Sequence, residues 1–135
     1  MSEGKRLSIV GIGGTTSPGS STEQALKIAG DRLWCGHFHD TRGLALANAY
    51  AIAQLGIERF DASLAGIGGC PHAPGASGNV STEDLAYMLR SMGVETGLGI
   101  DALLALRAQV AGWLQGEALH GTLWRAGLPK TLLAA

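Results

Sequence analysis

Runs of strand-forming residues alternate with stretches of helical period along this chain, and few architectures accommodate that alternation. Leu7–Ile12 is rich in β-branched residues and leads into the loop "GGTTSPGSSTEQAL", where Ser20 and Glu23 have the spacing of a capping box that opens a helix. Trp34–His39 reads as a second strand, and Leu44–Leu55 as an alanine-rich helix ended by Gly56. The run "IERFDASLAGIGG" makes a third strand, with Ile57, Phe60, Ala62 and Leu64 among its apolar residues. After a breaker-rich loop, Ser81 with Asp84 caps a helix whose Leu85, Met88, Leu89 and Met92 recur at helical spacing until Gly93. Asp101–Leu114 is a further helix, with Leu103, Leu106, Val110 and Leu114 along one stripe. The order βαβαβαα implies parallel strands in an α/β fold, whose active sites gather at the carboxyl ends of the strands.

Composition narrows the partners. With 135 residues, a formal charge of −1, 46% hydrophobic and 16% charged residues, the chain has the profile of a soluble globular protein. A domain of this size buries roughly 68–70% of its unfolded surface, so no disulfide is needed to hold it together. Cys35 and Cys70 are accordingly expected to be reduced thiols. Scattered Lys and Arg make no basic patch and aromatic residues are few, which argues against a nucleic-acid partner. Leu7–Ile12 is too short for a signal peptide, and Leu44–Leu55 is far below the roughly 20 residues of a membrane span. The expected location is cytoplasmic, with no membrane partner.

The short run "GHFHDTRG", residues 36–43, carries two of the four histidines. Alternate strand residues share a face, so His37 and His39 present their imidazoles side by side while Phe38 turns away. Two such rings can hold a divalent cation; alternatively, one packs in the core and the other bonds to a carboxylate. The loop after the next strand, "GGCPHAPGASGNV", has four glycines and two prolines in 13 residues, too many breakers for regular structure. In it Asn79 offers a hard amide oxygen that could reach the neighbouring strand end, and Cys70 offers a thiol, or else a small buried residue.

The stretch from "GHFHDTRG" through "GGCPHAPGASGNVSTEDL" to "AGLPK" resembles the C-terminal part of the hydroxymethylglutaryl-CoA lyase family, over about residues 34–130. The resemblance implies the last two βα units of a TIM barrel, a divalent cation (magnesium or manganese), and cleavage of 3-hydroxy-3-methylglutaryl-CoA, an acyl-CoA, to acetyl-CoA and acetoacetate. Position by position, His37 and His39 match the metal-ligating histidines, the first also implicated in catalysis. Asn79 matches the asparagine ligand, and Cys70 the catalytic cysteine on the loop that closes over substrate. Family members also use an arginine and a ligating aspartate from their first barrel strand, which Leu7–Gly14 does not supply. A full barrel takes about 250 residues, so at least half is absent here.

Residues 1–30 resemble a different family. "LSIVGIGGTTSPGSSTEQAL" is similar to the first strand, phosphate loop and helix of NADPH-dependent FMN reductases, which are flavodoxin-like. That similarity implies Thr15, Ser20, Ser21 and Thr22 as contacts to an FMN phosphate at a helix N-terminus. The chain thus divides into a flavodoxin-like strand-loop-helix segment, 1–33, and a partial lyase barrel, 34–135. Three readings follow: an incomplete metal-dependent lyase with little or no turnover alone, an FMN-binding module, and a non-catalytic α/β fragment that self-associates through unpaired strand edges as a homo-oligomer.

Overall fold

The computed structural model describes residues 34–69 and 75–129. The expected strand Leu7–Ile12 and the helix after it lie outside them. Within the described residues the order is β1 (Gly36–His37), α1 (Ala45–Gln54), β2 (Phe60–Asp61), a 3-10 turn (Leu64–Gly66), α2 (Thr82–Ser91), α3 (Ile100–Trp113) and α4 (Leu123–Ala126). β1 and β2 pair in parallel, with Gly36 opposite Phe60 and His37 opposite Asp61. The parallel pairing across a helical connection is the α/β arrangement expected from the alternation of elements.

Both strands are shorter than the hydrophobic pattern suggests. Beyond His37 the chain leaves β2 and is stitched instead to the end of the breaker-rich loop. There Val80 N donates to Phe38 O at 2.9 Å and Asp40 N to Gly78 O at 2.8 Å, forming an isolated antiparallel bridge between His39 and Asn79. The apolar run after Asp61 does not continue as strand either. It makes one parallel bridge, Ser63 with Ser81, and then folds into the 3-10 turn, where Ala65 takes left-handed angles (φ 56, ψ 18). A non-glycine residue in that region costs on the order of 1–3 kcal/mol, so its surroundings must hold it.

α1 packs closely on the helix Thr82–Ser91 because its inward residues are small. Ala45 and Ala49, four residues apart, are completely buried, with Ala53 continuing the row. The helix start is capped from outside, by Asp40 Oδ1 accepting from Ala45 N at 2.9 Å. Its end, like that of α2, turns on a left-handed glycine, Gly56 and Gly93 respectively, as the sequence leads one to expect.

α2 is the central element. Ser81 caps it, its side chain accepting from Asp84 N at 3.1 Å. One face buries Leu85 and Leu89 against Ala45, Ala49 and Val80, and Phe38, Phe60 and Ala62 pack around them. The other face places Ala86 against Ile100 of α3 and Leu123 of α4.

α3 departs from its expected stripe. Leu106 and Leu114 are 44% and 36% exposed, and the face turned inward carries Ile100 and Arg107, with Leu103 and Leu104 packed beside them. A buried arginine wins over a leucine here because a carboxylate, Glu83, waits for it in the interior.

Gly36 is buried between these layers. A Cβ at this position would collide with Ile52 Cδ1 and lie within 3.1 Å of the Phe38 and Phe60 rings. Gly36→Ala is expected to lower the unfolding free energy by about 1–3 kcal/mol through overpacking, measured by chemical denaturation. An unchanged midpoint would show that α1 does not lie against β1 as closely as described.

Candidate metal centre

The strand alternation is realised at β1. Phe38 packs into the core, whereas His37 and His39 are exposed on the other side, their ring centroids 5.2 Å apart and nearly perpendicular, at 65°. The register of the sheet then gives His37 a carboxylate. Asp61 stands directly opposite it on β2, and His37 Nδ1 lies 2.9 Å from Asp61 Oδ2. With a proton on Nδ1 donated to that carboxylate, Nε2 is left with a free lone pair, the form in which imidazole binds a metal. His37 and Asp61 are 49% and 63% exposed, so the pair adds little to stability and its consequence is orientation.

Asn79 reaches this face through the antiparallel bridge. Residues directly opposite in such a bridge project to the same side, with Cβ atoms typically about 4.5–5.5 Å apart, which sets the Asn79 side chain beside His39. The amide is held in one orientation. Its Nδ2 donates to Ile67 O at 2.8 Å and to Ser63 Oγ at 3.0 Å, with Gly68 O at 3.4 Å. Flipping the amide would put Oδ1 against two carbonyl oxygens, so the assignment of nitrogen and oxygen is forced by the neighbours. Gly68 makes room for this contact. It has φ 102, and a Cβ there would fall 2.8 Å from Asn79 Nδ2.

The opposite end of the same amide is different. Asn79 Oδ1 is buried and has no hydrogen-bond partner among the described residues. A buried acceptor without a donor costs about 1–3 kcal/mol, which invites a cation or a water to complete it. Two imidazole nitrogens and an amide oxygen are a donor set suited to a divalent cation, so the residues present fit one. Among the described residues no group of three or more His, Cys, Asp or Glu is gathered for a metal, so this set depends on the amide for its third donor.

The structure thus brings together three of the residues singled out in the sequence, His37, His39 and Asn79. Cys70 lies outside the described residues, as do Thr15, Ser20, Ser21 and Thr22. Sequence reasoning passed over Asp61 and Ser63, because no local pattern reveals which residue of one strand will stand opposite a given residue of another. It also passed over Asp40, although an aspartate shortly before a helical run is a recognisable capping signal.

A family model described as HMGL-like matches residues 19–110. The hydroxymethylglutaryl-CoA lyase of Pseudomonas mevalonii is 40% identical over 111 residues, which is 78% of this chain and 37% of that protein. The human mitochondrial hydroxymethylglutaryl-CoA lyase is 54% identical over 68 residues, 50% of this chain and 21% of its own length. Among solved structures, an HMG-CoA lyase from Acenitobacter baumannii in complex with coenzyme A and 3-methylmalate superimposes with a TM-score of 0.69 at 42% identity. It covers 79% of this chain and 35% of the other. The chain therefore spans roughly a third or less of the relatives it matches. The comparisons lend no support to the FMN-reductase resemblance of residues 1–30, and the family match reaches back to residue 19, within that segment.

The orienting carboxylate can be tested without any ligand. Asp61→Ala is expected to leave the denaturation midpoint nearly unchanged while redistributing the His37 proton between its ring nitrogens, read from the imidazole 15N shifts in the neutral form. A large loss of stability, or an unaltered tautomer, would contradict the role given to Asp61.

Proposed function

Because the chain belongs to the HMGL-like family, we propose that it carries the cation-binding portion of a hydroxymethylglutaryl-CoA lyase site, set on the last two βα units of a partial TIM barrel. The reaction is cleavage of 3-hydroxy-3-methylglutaryl-CoA to acetyl-CoA and acetoacetate. The observation that carries this reading is the buried, unpartnered Asn79 Oδ1 on the face shared by His37 and His39.

His37, His39 and Asn79 would hold the divalent cation, magnesium or manganese. When bound, such an ion polarises the substrate's hydroxyl and carbonyl oxygens. Asp61 keeps His37 in the tautomer that offers Nε2, and Ser63 with the carbonyls of Ile67 and Gly68 holds Asn79 Nδ2, which turns Oδ1 away from those oxygens. Carbon–carbon cleavage transfers one proton overall, from the substrate hydroxyl to the carbon that becomes the methyl group of acetyl-CoA. With Nδ1 turned to Asp61 and Nε2 to the cation, His37 would hold the ion at the hydroxyl end of this transfer, where solvent takes the proton, and the Cys70 thiol would supply or relay a proton at the carbon end. The chain spans 37% of its Pseudomonas mevalonii relative, and Leu7–Gly14 does not supply the arginine and aspartate that the family resemblance implies for the first barrel strand. Its own turnover is therefore small or nil, with the cation held weakly.

Self-association belongs to the same reading. The outer edge of β2 has no strand beside it among the described residues, and a groove of about 920 Å³ runs along it, lined by Phe60, Ala62, Leu85, Leu89 and Met92 among others. A second copy closing such edges makes a homo-oligomer. No described helix is long and apolar enough to cross a membrane.

Manganese titration of the whole chain is expected to give weak saturable binding that His39→Ala and Asn79→Ala each reduce about tenfold or more. Curves identical to the unsubstituted protein would remove the metal site. In a lyase assay with added cation, turnover should be at most a trace, and light scattering should report more than one copy per particle. Full activity from a monomer would overturn the incomplete-barrel reading.

A further inference from the structure

The interior of the described fold holds an ion pair that the proposed chemistry does not use. Glu83 is 1% exposed and Arg107 is 3% exposed, with Arg107 Nε 3.0 Å from Glu83 Oε1. Burying two charges is expensive, and a pair of this kind is often replaceable by apolar residues without loss of stability. What the pair does must therefore be sought in what its atoms touch. The Glu83 carboxylate accepts from the backbone of Ala65, whose N lies 3.1 and 3.0 Å from its two oxygens. Arg107 donates from a terminal nitrogen to His120 O at 2.9 Å, and His120 N donates to Ala65 O at 2.8 Å. The guanidinium itself rests on the Trp124 ring, 4.4 Å from its centroid. Both backbone polar groups of Ala65 are thus tied into one buried network, directly on one side and through His120 on the other.

Ala65 is also the only non-glycine residue with positive φ among the described residues. It sits midway between Ser63 and Ile67, two of the residues whose oxygens hold Asn79 Nδ2. Swinging Ala65 back to an ordinary conformation would redirect the chain between those oxygens and release the amide. From this we infer that the Glu83–Arg107 pair is a clamp on the Ala65 turn, and that Glu83 is a positioning residue that aims Asn79 Oδ1 at the cation. The clause about the cation rests on Asn79 being a ligand; the clamp on the Asn79 amide does not.

Two double variants separate the carboxylate's hydrogen bond from its charge. Glu83→Leu with Arg107→Met removes both charges and the acceptor for Ala65 N. Glu83→Gln with Arg107→Met removes both charges but keeps an acceptor oxygen. In the cation-free chain, the Asn79 side-chain amide resonances report its anchoring, and manganese affinity reports its aim. We expect the leucine pair to shift or broaden the Asn79 resonances and to weaken manganese about tenfold or more, with the glutamine pair close to the unsubstituted protein in both. Equal effects in the two variants, whether both silent or both severe, would overturn the clamp. If the leucine pair does not fold, by circular dichroism, the glutamine pair decides: retention of the Asn79 signature supports the clamp and its loss overturns it. If the unsubstituted chain binds no manganese, the metal reading falls, and the Asn79 resonances still judge the clamp.

Discussion

Two carboxylates buried in the first turn of α2 carry much of the described fold. Glu83 receives the backbone of the turn after β2 and the guanidinium of α3. Asp84, its neighbour, accepts from Thr122 N at 2.8 Å and Leu123 N at 2.9 Å, fixing the start of α4. Acidic side chains are at home there because the first amides of a helix carry partial positive charge. Their burial makes them directional. In a dry interior, a carboxylate must find donors, and these two find them on segments that apolar packing alone would leave free to slide.

Around that anchor the layers follow from residue size and register. Alanines on α1 let it pack closely on α2, and Gly36 leaves room for Ile52 of the same helix over β1. With Phe38 drawn into the apolar layer, the flanking histidines are left on the opposite face, where the end of the glycine-rich loop is bridged to them through Asn79. The candidate centre is therefore a consequence of packing on one side of β1 and hydrogen bonding on the other.

A good part of this was legible in the residues. His37 and His39 on one face, the Ser81 cap, and the glycines that end both helices depend on spacing of a few positions, and the structure bears them out. The strand lengths were not legible. Periodicity shows that "IERFDASLAGIGG" is apolar, but cannot show that Ala65 will be held left-handed by a carboxylate 18 residues later. The α3 stripe misled for a related reason. Hydrophobic spacing ranks Leu106 above Arg107, and only a partner brought from another helix reverses the order.

The sequence by itself determined what is local: alternating element types, caps and stops, and the pair of imidazoles on one face. These depend on backbone sterics and on side chains a turn or a pleat apart, so they are written in short windows. Which carboxylate would meet His37, which way the Asn79 amide would point, and why an arginine belongs in the core were decided only by tertiary structure. Each of those depends on distances between segments far apart in the chain, and these exist only once the strands are in register and the buried charges have met.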